Sequence, residues 1–260
     1  MNENVGEKIA NEVFAIARSE GIPVLGMGPC AAMRDGPPGY RPEDLLPRAS
    51  SMICFGIPVP RSVFRESRFV VQRIWRSQSL YYRRLDTLSL RLAQVLEGYG
   101  AQAAPVFGCA PLAVNRRGIV TGHLNQIRMA VLTGVGARGR NGLLLHSSYG
   151  ARLMLGAVVT AASLPSLRMP ETTEQGCPAN CRICIDACPA RAISERSGRV
   201  DVMRCLRHAA QTPFMSRLRF AILARSNPTA AATFMNQRAF DEHTTEVCSR
   251  CVAMCPYGEV

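Results

Sequence analysis

The chain has 260 residues and a mass of 28.3 kDa, a size that allows one large domain or two modest ones. Hydrophobic residues make up 47% of it and charged residues 19%, proportions that exclude the disordered and fibrous classes. The net charge of +12 comes from 31 basic and 19 acidic residues, and Lys8 is the only lysine. Such an arginine-rich chain suits partners that carry phosphate or carboxylate groups, although a generally basic surface without a nucleic-acid site fits equally well.

Features of the N-terminal and apolar segments bear on cellular location. Residues 1–21 carry acidic residues where a secretory signal has basic ones, so we expect a cytoplasmic protein. The longest apolar stretch, residues 153–164, is too short to cross a bilayer, so we expect no membrane association. In a cytoplasmic chain, eleven cysteines favour metal binding or redox chemistry over disulfide bonds.

The first hundred residues alternate between helical and extended patterns. Hydrophobic spacing predicts helices over residues 4–19 and 69–99 with a helical turn near 41–47, and apolar runs predict strands over 22–27, 51–59 and 102–107. One face of the long helix is apolar, at Tyr81, Leu85, Leu88, Leu92, Val95, Leu96 and Tyr99. Alternating helices and strands of this kind predict a mixed helix-and-sheet domain.

A glycine-punctuated segment covers residues 134–156 and runs into a predicted strand at 153–160. Glycines at this density allow the backbone to approach a ligand closely, or they form a pair of hairpin turns, and the sequence leaves both open. Residues 165–175 have the composition of a linker. We therefore predict two domains, at residues 1–165 and 166–260.

The C-terminal domain contains two cysteine runs, each of which ends in Cys-Pro. The first holds Cys177, Cys181, Cys184 and Cys188, and the second holds Cys248, Cys251 and Cys255. Runs of this type bind two [4Fe–4S] clusters, because the cysteine before proline points away from its own cluster and toward the other. The first cluster then takes Cys177, Cys181, Cys184 and Cys255, and the second takes Cys188, Cys248 and Cys251. Cys205, the only other cysteine in this domain, is predicted as the fourth ligand of the second cluster. Zinc fits less well, since it does not explain the two Cys-Pro endings.

These cysteines, together with the segments GVGARGRNGLLL (residues 134–145 from Gly134) and SSYGARLMLGAVVT (147–160), resemble the family of epoxyqueuosine reductase and the reductive dehalogenases. The resemblance implies an α+β fold, with a nitroreductase-like N-terminal domain that holds a corrinoid and a ferredoxin-like double [4Fe–4S] module after it. It also implies that the clusters reduce cobalt to Co(I) for the two-electron reduction of an organic substrate. The residues that it implies around the corrinoid are Gly134, Gly136, Gly139, Arg140, Asn141, Tyr149, Gly150 and Arg152.

The chain departs from the family pattern at several positions. Gly108 stands where an acidic residue is expected as a proton donor, and Gln126 where relatives have histidine. Ala137 and Arg140 replace a tryptophan and a lysine, and Ala161 replaces an aspartate. Tyr81 and Tyr82 lie where the family has an Asp-Tyr-His segment, so they are candidate catalytic residues, with a core position as the alternative. The remaining cysteines, Cys30, Cys54 and Cys109, are expected to be inert.

The resemblance further implies an electron donor such as a flavodoxin or ferredoxin, and a small-molecule or modified-nucleoside substrate. Action on tRNA is not favoured, because the helical-repeat tail of some relatives does not follow Cys255 in this chain. Two alternatives remain open. The chain could be a non-catalytic electron-transfer protein whose N-terminal domain has lost its cofactor, or that domain could hold a flavin, which is common in nitroreductase-like folds.

Overall fold

The computed structural model describes residues 3–65, 68–108, 111–168, 176–195, 199–209, 214–236 and 248–258. The helices in these ranges are α1 (Glu3–Ser19), α2 (Pro42–Leu45), α3 (Val70–Gly98), α4 (Gln126–Leu132), α5 (Ile183–Asp186), α6 (Val202–Ala209), α7 (Phe214–Ser226), α8 (Pro228–Asn236) and α9 (Arg250–Ala253). The strands are β1 (Val24–Pro29), β2 (Ser51–Pro58), β3 (Ala103–Val106), β4 (Leu112–Val114), β5 (Val120–Gly122), β6 (Ala137–Arg138), β7 (Leu144–Leu145) and β8 (Leu153–Thr160). Short 3-10 helices cover Cys30–Met33 and Arg61–Phe64.

The central element is a four-stranded antiparallel sheet with the strand order β1-β2-β8-β3. The two middle strands, β2 and β8, are buried along almost their whole length, which explains their continuous apolar sequences. Beyond β8 the chain returns along the free edge of β1, where the main-chain N of Met27 donates a hydrogen bond to the carbonyl of Leu167. The edge of β1 is therefore covered by the chain itself.

Both faces of the sheet are covered by apolar side chains. On one face α1 and α3 pack through a core that includes Ile9, Val13, Leu85 and Phe55. The opposite face packs against α4 and the β6–β7 hairpin, in a second core. Its fully buried members include Met52, Cys54, Met129, Val135, Ala157 and Val159. The sheet is therefore the middle layer of three.

Most of the predicted elements are found. The helices predicted at residues 4–19 and 69–99 are α1 and α3, and the predicted strands are β1, β2, β3 and β8. The buried face of α3 includes Leu85, Leu88, Leu92 and Leu96, as the hydrophobic spacing predicts. The mixed helix-and-strand fold is therefore confirmed. The linker prediction falls largely on residues 169–175, which lie outside the described residues.

The glycine-punctuated segment forms two tight turns. Strands β6 and β7 pair as a short hairpin, and His146 bridges to Gly150 across a second turn. Of the two alternatives for this segment, hairpin turns are therefore present.

Two C-terminal helices pack back onto the N-terminal half. Asn236, the last residue of α8, donates to and accepts from the main chain of Leu112 on β4, at 3.0 and 2.7 Å. Val114, Ala224 and Ala231 form a small core between β4, α7 and α8. The β4–β5 hairpin is thereby held against α7 and α8. No helix in the described ranges is long and apolar enough to cross a membrane.

Candidate iron–sulfur centres and the adjoining edge of the sheet

Cys184 lies on the short helix α5, close to three other cysteines. Burial raises the pKa of its thiol, and negative charge on Cys177, Cys181 and Cys255 raises it further. The structure thus brings these four sulfurs into one neighbourhood. The main-chain N of Arg140 donates a hydrogen bond to Sγ of Cys177 at 3.4 Å, so the β6–β7 hairpin contacts this group directly.

A second neighbourhood surrounds Cys251 at the start of α9. Burial raises the pKa of its thiol to about 12, with further contributions from Cys205 and Cys248, and then from Cys184 and Cys188. Cys205 reaches this group from α6. Cys184 therefore lies near both groups, so the two sets of four cysteines are adjacent. In the described ranges, no three His, Cys, Asp or Glu side chains stand close enough to hold a single metal ion.

The edge of the sheet beside the first group carries two arginines. Arg152, just before β8, donates from Nη1 to the carbonyl of Val59 at 3.0 Å. Burial lowers the pKa of its guanidinium, as does repulsion from Arg61, while Cys255 and Tyr149 act in the opposite direction. Among the described residues, no carboxylate contributes to this shift. The edge is therefore a half-buried cationic site next to a cysteine of the first group, and such a site favours an anionic ligand.

Gly150 joins this edge to the segment that follows Cys255. Its φ is +58°, and a Cβ there would lie less than 3.0 Å from the carbonyl oxygen of Tyr257, two residues after Cys255. Arg61 donates from Nη2 to the carbonyl of Gly258. Only glycine permits both this backbone conformation and this approach. The contact fixes the position of Cys255 relative to the sheet.

The other residues predicted around a corrinoid contact protein. At Gly134, Gly136 and Gly139 the space for a Cβ is taken by the Arg168 side chain, the Leu145 carbonyl and the side chains of Asn141 and Leu145 respectively. Oδ1 of Asn141 accepts from the main-chain N of Leu143 at 3.1 Å, which stabilises the hairpin turn. Tyr149 stacks on His146 with ring centroids 4.9 Å apart.

Arg140 is directed at the first cysteine run. Its guanidinium donates to the carbonyl of Ala179, which lies between Cys177 and Cys181. The side chain that the resemblance places beside a corrinoid therefore holds the loop that carries two candidate cluster ligands. The substitution at Ala137 is also structural in consequence, since this residue pairs with Leu145 in the hairpin.

Two of the residues that depart from the family pattern, Gln126 and Gly108, make hydrogen bonds that involve the main chain. Nε2 of Gln126 donates to the carbonyls of Val106 and Phe107, at 2.8 and 3.0 Å. Gly108 lies under the ring of Tyr82 and donates from its main-chain N to Oδ1 of Asp86 at 2.9 Å. Asp86 is the acidic residue that the sequence reasoning missed. Its available signal was the i, i+4 spacing from Tyr82 on the long helix.

Tyr81 and Tyr82 are both partly buried on α3. They pack against the core that α1, α3 and the sheet form, so the alternative that places them in the core is found. For Tyr82 this does not exclude a place at the site, because its ring also covers Gly108 at the end of β3.

Cys30 and Cys54 are fully buried, and Cys109 lies outside the described residues. Burial raises the pKa of both thiols to about 12. We expect neither to react with iodoacetamide at pH 8 in the folded apoprotein, because the thiolate is the reactive form. Mass spectrometry of tryptic peptides measures this. Labelling of Cys54 as fast as in urea would show that the sheet does not protect it.

Replacing Arg140 by alanine should make the first cysteine group lose iron faster, because the contact with Ala179 is lost while the main-chain bond to Cys177 remains. The rate of iron transfer to a chelator under anaerobic conditions measures the effect, and we expect an increase of roughly tenfold. Arg138→Ala, at an exposed arginine of the same hairpin, is the control. Equal rates for the two variants would contradict the role assigned to Arg140.

No protein-family model matches the chain. An epoxyqueuosine reductase of Lactococcus garvieae is 35% identical over 92 residues, which cover 35% of this chain and 25% of that protein. A tetrachloroethene reductive dehalogenase of Desulfitobacterium hafniense is 27% identical over 223 residues, or 85% of this chain and 34% of the relative. The epoxyqueuosine reductase of a Synechocystis species is 29% identical over 190 residues, or 70% and 58%. The matches thus span a quarter to about three fifths of these relatives.

Solved structures share the fold. The epoxyqueuosine reductase of Streptococcus thermophilus superposes with a TM-score of 0.61 at 18% identity, over 97% of this chain and 66% of that one. The Bacillus subtilis enzyme, described with its catalytic aspartate loop swung out of the active site, gives 0.62 at 17% identity over the same shares. A catabolic reductive dehalogenase in complex with 3-bromo-4-hydroxybenzoic acid gives 0.54 at 15% identity, over 86% and 35%. The similarity to both groups, predicted from the cysteine and glycine segments, is confirmed.

Proposed function

We propose that this chain is an iron–sulfur reductase that passes electrons from two [4Fe–4S] clusters to a corrinoid bound at the sheet edge formed by Val59, Arg61 and Arg152. The observation that carries the proposal is the arrangement of the cysteines as two adjacent groups of four, the first of which meets this edge at Gly150. The named relatives are reductases, which supports the reaction class.

The finer division of the chain belongs to the proposal. Residues 1–165 form a nitroreductase-like domain and residues 166–260 a ferredoxin-type module with two clusters. The antiparallel sheet, covered on both faces, supports the first part. The short helices α5 and α9, which each carry one cysteine of one run, support the second.

The cysteine set fits iron–sulfur clusters. Each group offers four thiols, which is the donor set of a Cys₄ cluster. The ligands would be Cys177, Cys181, Cys184 and Cys255 for the first cluster, and Cys188, Cys205, Cys248 and Cys251 for the second. Main-chain N atoms already donate to Cys177 and Cys188, at 3.4 and 3.3 Å, as is common around cluster thiolates. The clusters supply one-electron steps between a donor such as a flavodoxin or ferredoxin and the edge of the sheet.

The fit to a corrinoid rests on fewer residues. The half-buried Arg152 and the exposed Arg61 place two guanidinium groups at this edge, which suits the phosphate of a nucleotide-bearing corrinoid, and Tyr149 lies beside Arg152. When bound, the corrinoid supplies the two-electron reduction of an organic substrate. The chain's own residues bind its anionic portion and keep the first cluster close through the Gly150–Tyr257 contact.

A non-catalytic role in electron transfer is the second candidate function. The Cα faces of Gly136, Gly139 and Gly150 are filled by protein atoms, which also suits a domain that docks the cluster module without holding a cofactor. The chain would then be an electron-transfer protein that serves a partner enzyme. Binding of a tRNA stem loop, known for one structural neighbour, is a property of that neighbour and is not needed by either function.

Anaerobic purification from cells supplied with cobalamin tests the proposal. Iron, cobalt and flavin are quantified on one sample, and ultraviolet–visible and electron paramagnetic resonance spectra are recorded. We expect about eight iron atoms and one cobalt per chain, with a base-off cob(II)alamin signal.

Each other result is informative. Iron for two clusters without cobalt or flavin, even after reconstitution with cobalamin, would leave the electron-transfer protein. Stoichiometric flavin in place of cobalt would identify a flavin reductase. Arg152→Gln should weaken cobalamin retention while leaving the iron content unchanged, and equal cobalt in both proteins would remove Arg152 from the site.

A further inference from the structure

A half-buried carboxyl lies near the same edge of the sheet. Asp86 on α3 accepts a hydrogen bond from the main-chain N of Gly108, two residues after the end of β3. Burial raises the pKa of this carboxyl, and the hydrogen bond only partly opposes the shift. A carboxyl that keeps its proton above the ordinary range is suited to donate it in a reaction.

Gly108 is what allows this approach. A Cβ at this position would lie less than 3.0 Å from the ring of Tyr82, one helical turn before Asp86. An acidic side chain at position 108 would therefore displace Tyr82. At the position where the family pattern has an acid, the chain instead receives a carboxyl from the neighbouring helix.

The strand register relates Asp86 to the cationic edge. Val106 pairs with Ala157, and continuing this register brings Gly108 opposite Leu155. The close approach of Gly108 to the Leu155 carbonyl agrees with that continuation. Arg152 precedes Leu155 by three residues, or about 10 Å of extended chain. Asp86, through Gly108, and Arg152 therefore both lie beside the first residues of β8.

In the part of the chain that the structure describes, no charged partner contributes to the raised pKa of Asp86. On its own helix, the titratable residues within one turn are Tyr82 and the exposed Arg83 and Arg84. The adjoining strands β3 and β8 carry no titratable side chain. From the segment after β3, the contact is the main-chain N of Gly108. Burial is thus the dominant cause.

We propose that Asp86 is the proton donor of the reduction, an inference that rests on the function proposed above. For a substrate with a carbon–leaving group bond, two electrons from the external donor, relayed by the clusters, break that bond. The leaving group departs with its electron pair, and carbon takes one proton from Asp86. The carboxylate then takes a proton from solvent, so one proton and two electrons are consumed in each cycle.

The test uses the cobalamin-loaded protein and does not require the natural substrate. The midpoint potential of the cobalt couple is measured by electron paramagnetic resonance titration between pH 5 and 9. In the wild-type protein we expect the potential to fall as the pH rises through the titration of Asp86, since a proton donor near the centre takes up its proton on reduction. For a one-electron couple, a tenfold change in the equilibrium constant for reduction corresponds to about 59 mV in the midpoint potential.

Matched variants separate proton donation from packing. Asp86→Asn keeps an oxygen for Gly108 and should make the potential independent of pH, whereas Asp86→Glu should restore the dependence. Glu97→Gln, at an exposed acid near the end of the same helix, should behave as the wild type. A flat wild-type profile, or an equal slope in Asp86→Asn, would overturn the role of Asp86 alone. Absence of cobalt from the wild type would overturn the proposed function, and with it this inference.

Thermal unfolding tests whether the Asp86→Asn variant folds. The carboxyl has a higher pKa in the folded chain than in the unfolded one, so the folded state binds more protons between the two values and stability falls as the pH rises through that window. Below about pH 3 both states are protonated and the effect vanishes. We therefore expect Asp86→Asn to melt at a higher temperature than the wild type at pH 7 and at the same temperature at pH 3. A lower melting temperature at pH 7 would show that the carboxylate is stabilising, contrary to the role proposed.

Discussion

Replacing Cys205 by alanine should lower the iron content from about eight to about four atoms per chain. Cys205 lies on α6, within electrostatic reach of Cys251, and it is the residue that completes a set of four with Cys188 and Cys248. With three thiolates the second cluster should not survive purification, whereas the first should remain. Iron analysis and the spectrum of the dithionite-reduced protein measure both.

Controls identify the group that is lost. Cys30→Ala removes a buried thiol that belongs to neither cysteine group, and it should leave iron at the wild-type level. Cys184→Ala should remove the first cluster instead, and the spectra of the two variants should sum to that of the wild type. Unchanged iron and unchanged spectra in Cys205→Ala would remove this residue from the ligand set.

Replacing Gly150 by alanine should destabilise the chain by about 3 kcal/mol and release Cys255 from the first group. The new methyl group would overlap the Tyr257 carbonyl, and the left-handed backbone at φ +58° adds strain. Chemical denaturation of the apoprotein measures the free energy of unfolding. Iron analysis then shows whether the first cluster is retained.

Gly98→Ala is the matched control for this prediction. Gly98 ends α3, and a Cβ there would meet no atom within 4 Å, so alanine should be neutral or stabilising by up to about 1 kcal/mol. Equal stabilities for the two alanine variants would mean that the Gly150–Tyr257 contact does not hold the segment after Cys255 against the sheet.

Some helices gave no usable sequence signal. Apolar residues lie on every side of α7, and Phe214, Met215, Leu218 and Ile222 are exposed, so no single stripe marks its packed face. Helix α4 begins at an asparagine cap, since Oδ1 of Asn125 accepts from the main-chain N of Arg128 at 3.0 Å, but it is too short for its period to be recognised. The buried faces of these helices depend on contacts with distant segments.

The glycine segment shows the same limit at the site. Its composition was compatible with a ligand cradle or with hairpins, because glycine permits both. The structure forms the hairpins and fills the glycine faces with Leu145, Asn141 and Tyr257, residues that lie from two to more than one hundred positions away. Likewise Arg140 is directed at Ala179, which no local pattern could indicate.

The sequence by itself determined the central strands and the two long helices and predicted eight cysteine ligands, because hydrophobic period and thiol spacing are local properties of the chain. Only the tertiary structure decided how Gly150 meets Tyr257, that Arg140 reaches Ala179 and that Asp86 reaches Gly108. These contacts join segments that are far apart in the chain, and whether they form depends on the packing of the whole sheet and its helices.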